Sequence, residues 1–207
     1  MAIIASDNGG GGDFTPVAAG THFGLCDRVV DLGKQRTTYM GEDKIVHQVY
    51  IRWQIPAERV EWQDGDGHKQ EGPAVIGKTY TLSLGTKANL RRDLESWRNR
   101  AFTDDELRGF DIAKLLGVPA TISVSHTEKN GKTYANVASI GGLPKGMDKP
   151  QPEGELVLVD DEHSENVEKL SKKLREKYDS QLRVEPQPEP NDPDAWRNDP
   201  LDDDVPF

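Results

Sequence analysis

The sequence predicts a mainly β domain with a helical insertion, and three observations indicate this class. Three runs rich in β-branched and aromatic residues come first, and an amphipathic helix follows them. Two more strand-like runs come after the helix. They are joined by Asn130-Gly131, the dipeptide that most strongly favours a two-residue hairpin turn.

The strands before the helix are expected at residues 22–33, 44–55 and 75–84, with a long polar loop at 63–72. The second strand alternates clearly between two faces. Its apolar face carries Ile45, Val49, Ile51, Trp53 and Ile55, with His47 among them. Its polar face carries Gln48, Tyr50, Arg52 and Gln54.

The helix is expected at residues 87–102, where Leu90, Leu94 and Trp97 recur at helical spacing. Thr103 and Glu106 form a capping-box pattern, so a second short helix should begin there. The last two strands are expected at 120–128 and 132–140.

This order of elements is that of the OB-fold, a five-stranded barrel whose exposed face and loops commonly bind oligonucleotides. A generic α+β domain with the same elements is the alternative. The fold prediction is therefore a five-stranded OB-fold barrel followed by a C-terminal helix and a disordered acidic tail.

Composition divides the chain into five segments. A flexible glycine-rich arm is expected at 1–20, the barrel at 21–147 and a linker at 148–163. An amphipathic helix is expected at 164–182, and it could dock on the barrel, pair with a second copy of the chain or stay free. Residues 183–207 are rich in proline and acidic side chains, which predicts a disordered tail.

Charge follows the same division. The chain has a formal net charge of −10, and all of that excess falls in residues 148–207. The single cysteine, Cys26, lies among apolar residues and is expected to be buried in the core. One cysteine, no secretion signal and no membrane-spanning run together predict a cytoplasmic protein with no membrane partner.

The composition and motifs do not favour an enzyme. The histidines are scattered without metal-ligand spacing, and no nucleophile elbow is present, so we expect no metal, no cofactor and no catalytic residues. A nuclease built from distant carboxylates is the enzymatic alternative.

Single-stranded nucleic acid binding requires cations along the phosphates and aromatic faces on which bases stack. The polar face of the second strand offers Tyr50 and Arg52, and core packing is an equal alternative for Tyr80. The helix arginines could equally be a solvated face paired with Asp93 and Glu95. The candidate contacts are Tyr50, Arg52, Lys78, Tyr80, Arg91, Arg92, Arg98, Arg100, Lys132, Tyr134, Lys34 and Arg36, with Lys129 and Lys145 as flanking cations.

The last six residues are Asp202, Asp203, Asp204, Val205, Pro206 and Phe207. This hexapeptide resembles the acidic tip of bacterial single-stranded-DNA-binding proteins, with valine where that family usually has isoleucine. The resemblance implies a partner-binding role, because a terminal phenylalanine can fill an apolar pocket while its carboxylate pairs with an arginine at the rim.

The body is similar to single-stranded-DNA-binding proteins of bacteriophages instead. The similarity lies in "LRRDLESWRNRAFT", "GFDIAKLLG" and "NGKTYANVASIGGLPKG", within roughly residues 27–146. It implies an OB-fold that coats single-stranded DNA during replication, recombination or repair, in the cytoplasm of a bacterial host.

The partners expected on this basis are single-stranded DNA and replication or repair proteins held by the tail, with a second copy of the chain as an open alternative. A strand-annealing or recombinase-loading mediator is one alternative. An adaptor that captures host replication proteins without binding DNA is the other.

Overall fold

A computed structural model of the chain describes residues 16–39, 41–63 and 67–182. The acidic tip and most of the glycine-rich arm lie outside the described residues. The strands are β1 Gly20–Tyr39, β2 Glu42–Gln63, β3 Lys69–Thr81, β4 Pro119–Lys129, β5 Lys132–Gly141 and β6 Val157–Val159. The α-helices are α1 Asn89–Arg98, α2 Asp104–Arg108 and α3 Lys172–Asp179, with 3-10 helices at Ile112–Leu115 and Ser164–Lys169.

The described strands form one sheet with the order β3-β2-β1-β4-β5, and β6 pairs with β1 off this path. Every neighbouring pair along the path is antiparallel, while β6 is parallel to β1. The two ends of the path, β3 and β5, approach each other. The sheet is therefore a curled, five-stranded antiparallel half-barrel. This confirms the mainly β class and is compatible with an OB-like fold.

The curl begins in β1, whose pairing with β2 shifts register between Cys26 and Arg28 and again between Asp31 and Lys34. Such bulges bend a strand and increase its twist. At the second shift Gly33 adopts a φ of 63°, and its N–H donates to Oδ1 of Asp31 over 2.8 Å. Glycine takes this backbone conformation without strain, so a glycine at position 33 favours the bulge there.

The β2–β3 hairpin is longer than the sequence predicts. Residues expected in a polar loop continue the ladder, from Arg59 opposite Pro73 to Gln63 opposite Lys69. One face of this arm carries Val60 and Trp62, but their partners Gly72 and Gln70 add no apolar side chain, so hydrophobic alternation is confined to one strand. Pairing is favoured because it satisfies the backbone N–H and C=O groups.

The main core lies between the inner face of the sheet and α1. Leu90, Leu94 and Trp97 of α1 are buried against the sheet, and the ring centroids of Trp53 and Trp97 are 5.6 Å apart. These burials confirm the core assignments of Trp53, Trp97 and Cys26. Helix α1 is shorter than expected because Asn99 turns the chain with a φ of 53°.

Two local predictions are confirmed. Thr103 and Glu106 form the complete capping box at the start of α2, each side chain accepting from the other residue's backbone N–H. Asn130 and Gly131 turn the β4–β5 hairpin with φ values of 53° and 71°, the conformation of a type I′ turn.

A second apolar cluster lies on the outer side of β1. Val30 and Leu32 of β1 pack there against Val157 and Val159 of β6 and against Leu170 and Tyr178. The segment expected as a linker thus contains a strand, and α3 docks on the half-barrel. No helix in the described part of the chain is long and apolar enough to cross a membrane.

The end of this segment is fixed by hydrogen bonds to β1. The buried Gln35 donates from Nε2 to the carbonyl oxygens of Leu32 and Lys177 over 2.6 and 3.1 Å. Oγ of Ser180 lies 3.2 Å from Oε1 of Gln35, and the N–H of Leu182 donates to the carbonyl of Lys34 over 2.8 Å. The cluster and these bonds hold residues 157–182 against the sheet.

Gly24 tests how tightly β1 approaches β2. A Cβ atom at Gly24 would overlap the carbonyl oxygen of Gln54, whereas a Cβ at Gly141 meets nothing within 4 Å. We expect Gly24→Ala to lower the free energy of unfolding by about 1–3 kcal/mol, as other overpacked sites do. Gly141→Ala should leave it within about 0.5 kcal/mol. Urea unfolding of both variants checks this, and equal stabilities would contradict the close approach.

Candidate nucleic-acid interface

The outward side of the β4–β5 hairpin and of the start of β1 is polar and open; we name it the hairpin face. Val124 and Val137 are paired, buried and point inward. Because side chains alternate along a strand, the neighbouring pairs point outward. The hairpin face comprises Thr21, Phe23, Thr121, Ser123, Ser125, Thr127, Lys129, Lys132, Tyr134, Asn136 and Ser139.

Tyr134 is the most exposed aromatic side chain of the hairpin face. Its exposed fraction is 48%, and that of Phe23 is 36%. An exposed ring on a sheet is a surface on which a nucleic acid base can stack. Asn136 braces the hairpin near Tyr134, donating to Oγ1 of Thr127 over 3.0 Å and to the carbonyl of Tyr134 over 3.1 Å.

Two lysines stand beside Tyr134 with no ion pair among the described residues. Lys129 and Lys132 are directly opposite each other at the turn, and both are exposed. Like charges directly opposite on a ladder repel each other, with Cβ atoms about 5 Å apart. An anion between them would relieve that repulsion.

Carboxylates are absent from the hairpin face as defined above. The single carboxylate of the hairpin sequence, Glu128, is paired with Thr133. It therefore points to the opposite side of the ribbon from Tyr134. The hairpin face accordingly combines rings, ammonium groups and hydroxyls, the groups that contact bases and phosphates.

Tyr50 and Arg52 lie elsewhere, beside the second apolar cluster. Tyr50 is half-buried against that cluster, and burial raises the pKa of its hydroxyl. Arg52 donates to the buried carboxylate of Asp27, with Nη2 to Oδ2 at 2.5 Å and Nε to Oδ1 at 3.1 Å. Tyr50 and Arg52 thus do not form an open stacking surface in this structure. Their contact with single-stranded DNA stays a prediction.

Lys78 and Tyr80 point inward, under α1. The Lys78 ammonium lies 2.7 Å from Oδ2 of Asp93, and the Tyr80 hydroxyl donates to the same oxygen over 3.0 Å. Burial, followed by the charge of Asp93, raises the pKa of Tyr80. These residues hold α1 to the sheet through one buried carboxylate.

The α1 arginines are also paired. Arg91 bonds Glu95 at 3.0 Å and Arg92 bonds Asp93 at 3.2 Å, as the solvated-face interpretation expects. Arg98 pairs with Glu106 and lies 4.4 Å from the centroid of the Phe102 ring. A paired arginine is a weaker phosphate ligand than a free one, because the bond to its carboxylate has to be replaced.

Lys34 and Arg36 are exposed near the opposite end of β1 from the hairpin face. Of the predicted contacts, the structure therefore brings together Lys132 and Tyr134, with the flanking Lys129. Phe23 was missed, because the first strand reads as one apolar run. His22 pairs with the buried Ile122 and points inward. Because side chains alternate along a strand, the next residue, Phe23, points outward.

Removing the shared carboxylate tests the network under α1. Asp93→Ala would leave the Lys78 ammonium and the Tyr80 hydroxyl without their buried partner, which should cost about 3–5 kcal/mol of stability. Asp105→Ala is the matched control, since Asp105 is 90% exposed and its one ion pair within the described residues is with Arg108. Its effect should stay within about 0.5 kcal/mol. Urea unfolding measures both, and an equal effect of the two changes would contradict the network.

Glu106 gives a pH test. The N–H of Thr103, followed by Arg100 and Arg98, lowers the pKa of Glu106 from 4.5 to about 2. Because the pKa of Glu106 is lower in the folded state, its carboxylate stabilises the protein at pH values above the unfolded-state pKa of 4.5. This stabilisation is lost as the pH falls towards the folded-state pKa of about 2. The wild type should therefore have a higher urea midpoint than Glu106→Gln at neutral pH, with a difference that shrinks below about pH 4.5. A difference of constant size would contradict the assignment.

Comparison with known proteins leaves the function to be inferred from these surfaces. No protein-family model matches the sequence, and no curated protein matches it significantly. Within the described residues, no group of three or more His, Cys, Asp or Glu side chains could hold a metal ion.

Proposed function

We propose that the protein binds and protects single-stranded DNA during replication, recombination or repair, and that the strand lies on the hairpin face. One observation carries the proposal: Tyr134 is exposed beside Lys129 and Lys132, on a face without carboxylates. Sequence-independent binding of single strands uses this combination of stacking rings and cations.

The half-barrel supports this function by its shape. It is compatible with an OB-like fold, and we infer that the sheet is an OB-fold barrel of the kind used by the phage proteins that the body resembles. Bases stack on Tyr134 and Phe23, while Lys129 and Lys132 hold the phosphates. The hydroxyls of the hairpin face offer donors and acceptors without favouring one base.

The acidic segment has a separate role in this proposal. The hexapeptide from Asp202 to Phe207 recruits replication or repair proteins, as its resemblance to the bacterial tip implies. Its aspartates steer a cationic partner, and the phenylalanine ring fills that partner's apolar pocket. Binding of DNA and recruitment of proteins then reside in different parts of the chain.

A titration of the hairpin face tests the DNA-binding part. Tyr134→Ala should weaken binding of a fluorescently labelled oligo(dT) by about 5- to 150-fold, since one base stack contributes about 1–3 kcal/mol. Tyr134→Phe keeps the ring and should bind like the wild type. Lys132→Ala should also weaken binding, whereas Lys114→Ala, an exposed lysine of the 3-10 helix Ile112–Leu115, should not. Fluorescence anisotropy at two salt concentrations is the measurement.

Two outcomes would contradict the proposal in different ways. Unchanged binding by Tyr134→Ala would remove the strand from the hairpin face. Absence of wild-type binding even in dilute buffer would reject single-strand binding altogether and favour the adaptor alternative. A strand-annealing assay on the same material separates a mediator from a passive coat.

A further inference from the structure

A groove of about 670 Å³ lies between the end of β3, the loop that follows it and α3. Its lining includes Lys78, Lys87 and Lys177 together with the hydroxyls of Thr79, Thr81 and Thr86. No carboxylate is among the described residues that line it. The groove is therefore cationic, although residues 1–147 together have no net charge.

Two of the three lysines are electrostatically unsatisfied. Lys78 is neutralised by Asp93, 2.7 Å away. Lys87 and Lys177 form no ion pair with any described residue. Burial, followed by the charge of Lys173, lowers the pKa of Lys177, which means that its ammonium group is destabilised where it stands. An anion in the groove would offset that cost.

The position of Lys177 is fixed by its own backbone. Its carbonyl accepts hydrogen bonds from Gln35 over 3.1 Å and from Ser180 over 2.8 Å, and Gln35 is only 6% exposed. Tyr178, the next residue, is buried in the second apolar cluster. Because the backbone of Lys177 is anchored, a ligand has to order only its side chain, which lowers the entropy cost of binding.

A further group on the groove wall favours a nucleotide over a simple anion. Gln48 also lines the groove, and its side-chain amide carries both hydrogen-bond donors and an acceptor. A nucleotide supplies both kinds of group, since its phosphate pairs with lysines and its base carries N–H donors.

We propose that this groove is a second contact site for the single strand, in which Lys87 and Lys177 hold a phosphate and the amide of Gln48 contacts a base. This inference rests on the proposed function. Because Lys177 belongs to α3 and Lys87 to the β3–α1 loop, the phosphate bridges the barrel and the C-terminal helix. Strand binding therefore tightens the docking of α3.

The test is the salt dependence of oligo(dT) binding. The double variant Lys87→Gln, Lys177→Gln should bind more weakly at low salt than the wild type. Its slope of log K against log salt should be shallower by roughly 0.7 for each phosphate that the variant no longer neutralises. Lys172→Gln and Lys114→Gln remove the same charge outside the groove and should leave the slope unchanged. Thermal unfolding of each variant confirms that it folds.

A second readout follows α3 itself. Hydrogen exchange of the α3 amides in the wild type should slow when oligo(dT) is added, and this slowing should disappear in the double variant. If the double variant keeps the wild-type slope, and oligo(dT) still slows its α3 exchange as it does in the wild type, the groove proposal is overturned while the hairpin-face proposal stands. Failure of the wild type to bind oligo(dT) would overturn both, so the two failures are distinguishable.

Discussion

The structure depends on one strand, β1, which forms hydrogen-bonded ladders with three others. Its first residues pair with β4, its remaining length pairs with β2, and Arg28–Val30 also pair with β6. A straight strand could not pair with β2, β4 and β6 in one curled sheet. The two register shifts bend β1, and the bend lets its inner side line the main core while its outer side receives the C-terminal segment.

The charged side chains of residues 1–147 are distributed unevenly over the fold. Residues 1–147 carry equal numbers of acidic and basic side chains. The carboxylates that lie near α1, such as Asp93 and Glu106, pair with the cations around them. Lys129 and Lys132 at the β4–β5 turn, and Lys87 and Lys177 in the groove, remain unpaired within the described residues. Under the proposed function, this local segregation, and not net charge, is what attracts a polyanion to a neutral domain.

Local chemistry in the sequence predicts much of the fold. The alternation of β2, the helical spacing of Leu90, Leu94 and Trp97, and the capping box at Thr103 all appear in the structure where they were expected. The length of the β2–β3 arm was underestimated, because its apolar alternation is limited to Val60 and Trp62 on one strand. Strand β6 was missed because its three residues are too few to show a period.

The candidate interface was harder to predict, because exposure depends on contacts between distant segments. Tyr50 and Arg52 lie on the polar face of β2, yet Asp27 and the C-terminal segment cover that face. Lys78 points inward because the register places it opposite the buried Ile51. Lys177 belongs to a helix whose docking could not be derived from its own sequence. Only Lys132 and Tyr134, which belong to a short-range hairpin, could be placed together from spacing alone.

The ladder between β1 and β6 has a kinetic consequence. Its two strands come from opposite ends of the described chain, and β4 also pairs with β1 across the whole helical insertion. Closing such long loops is slow compared with forming the β1–β2–β3 meander or the β4–β5 hairpin. On a ribosome the meander can assemble early, while the outer side of β1 stays uncovered until residues 157–178 emerge.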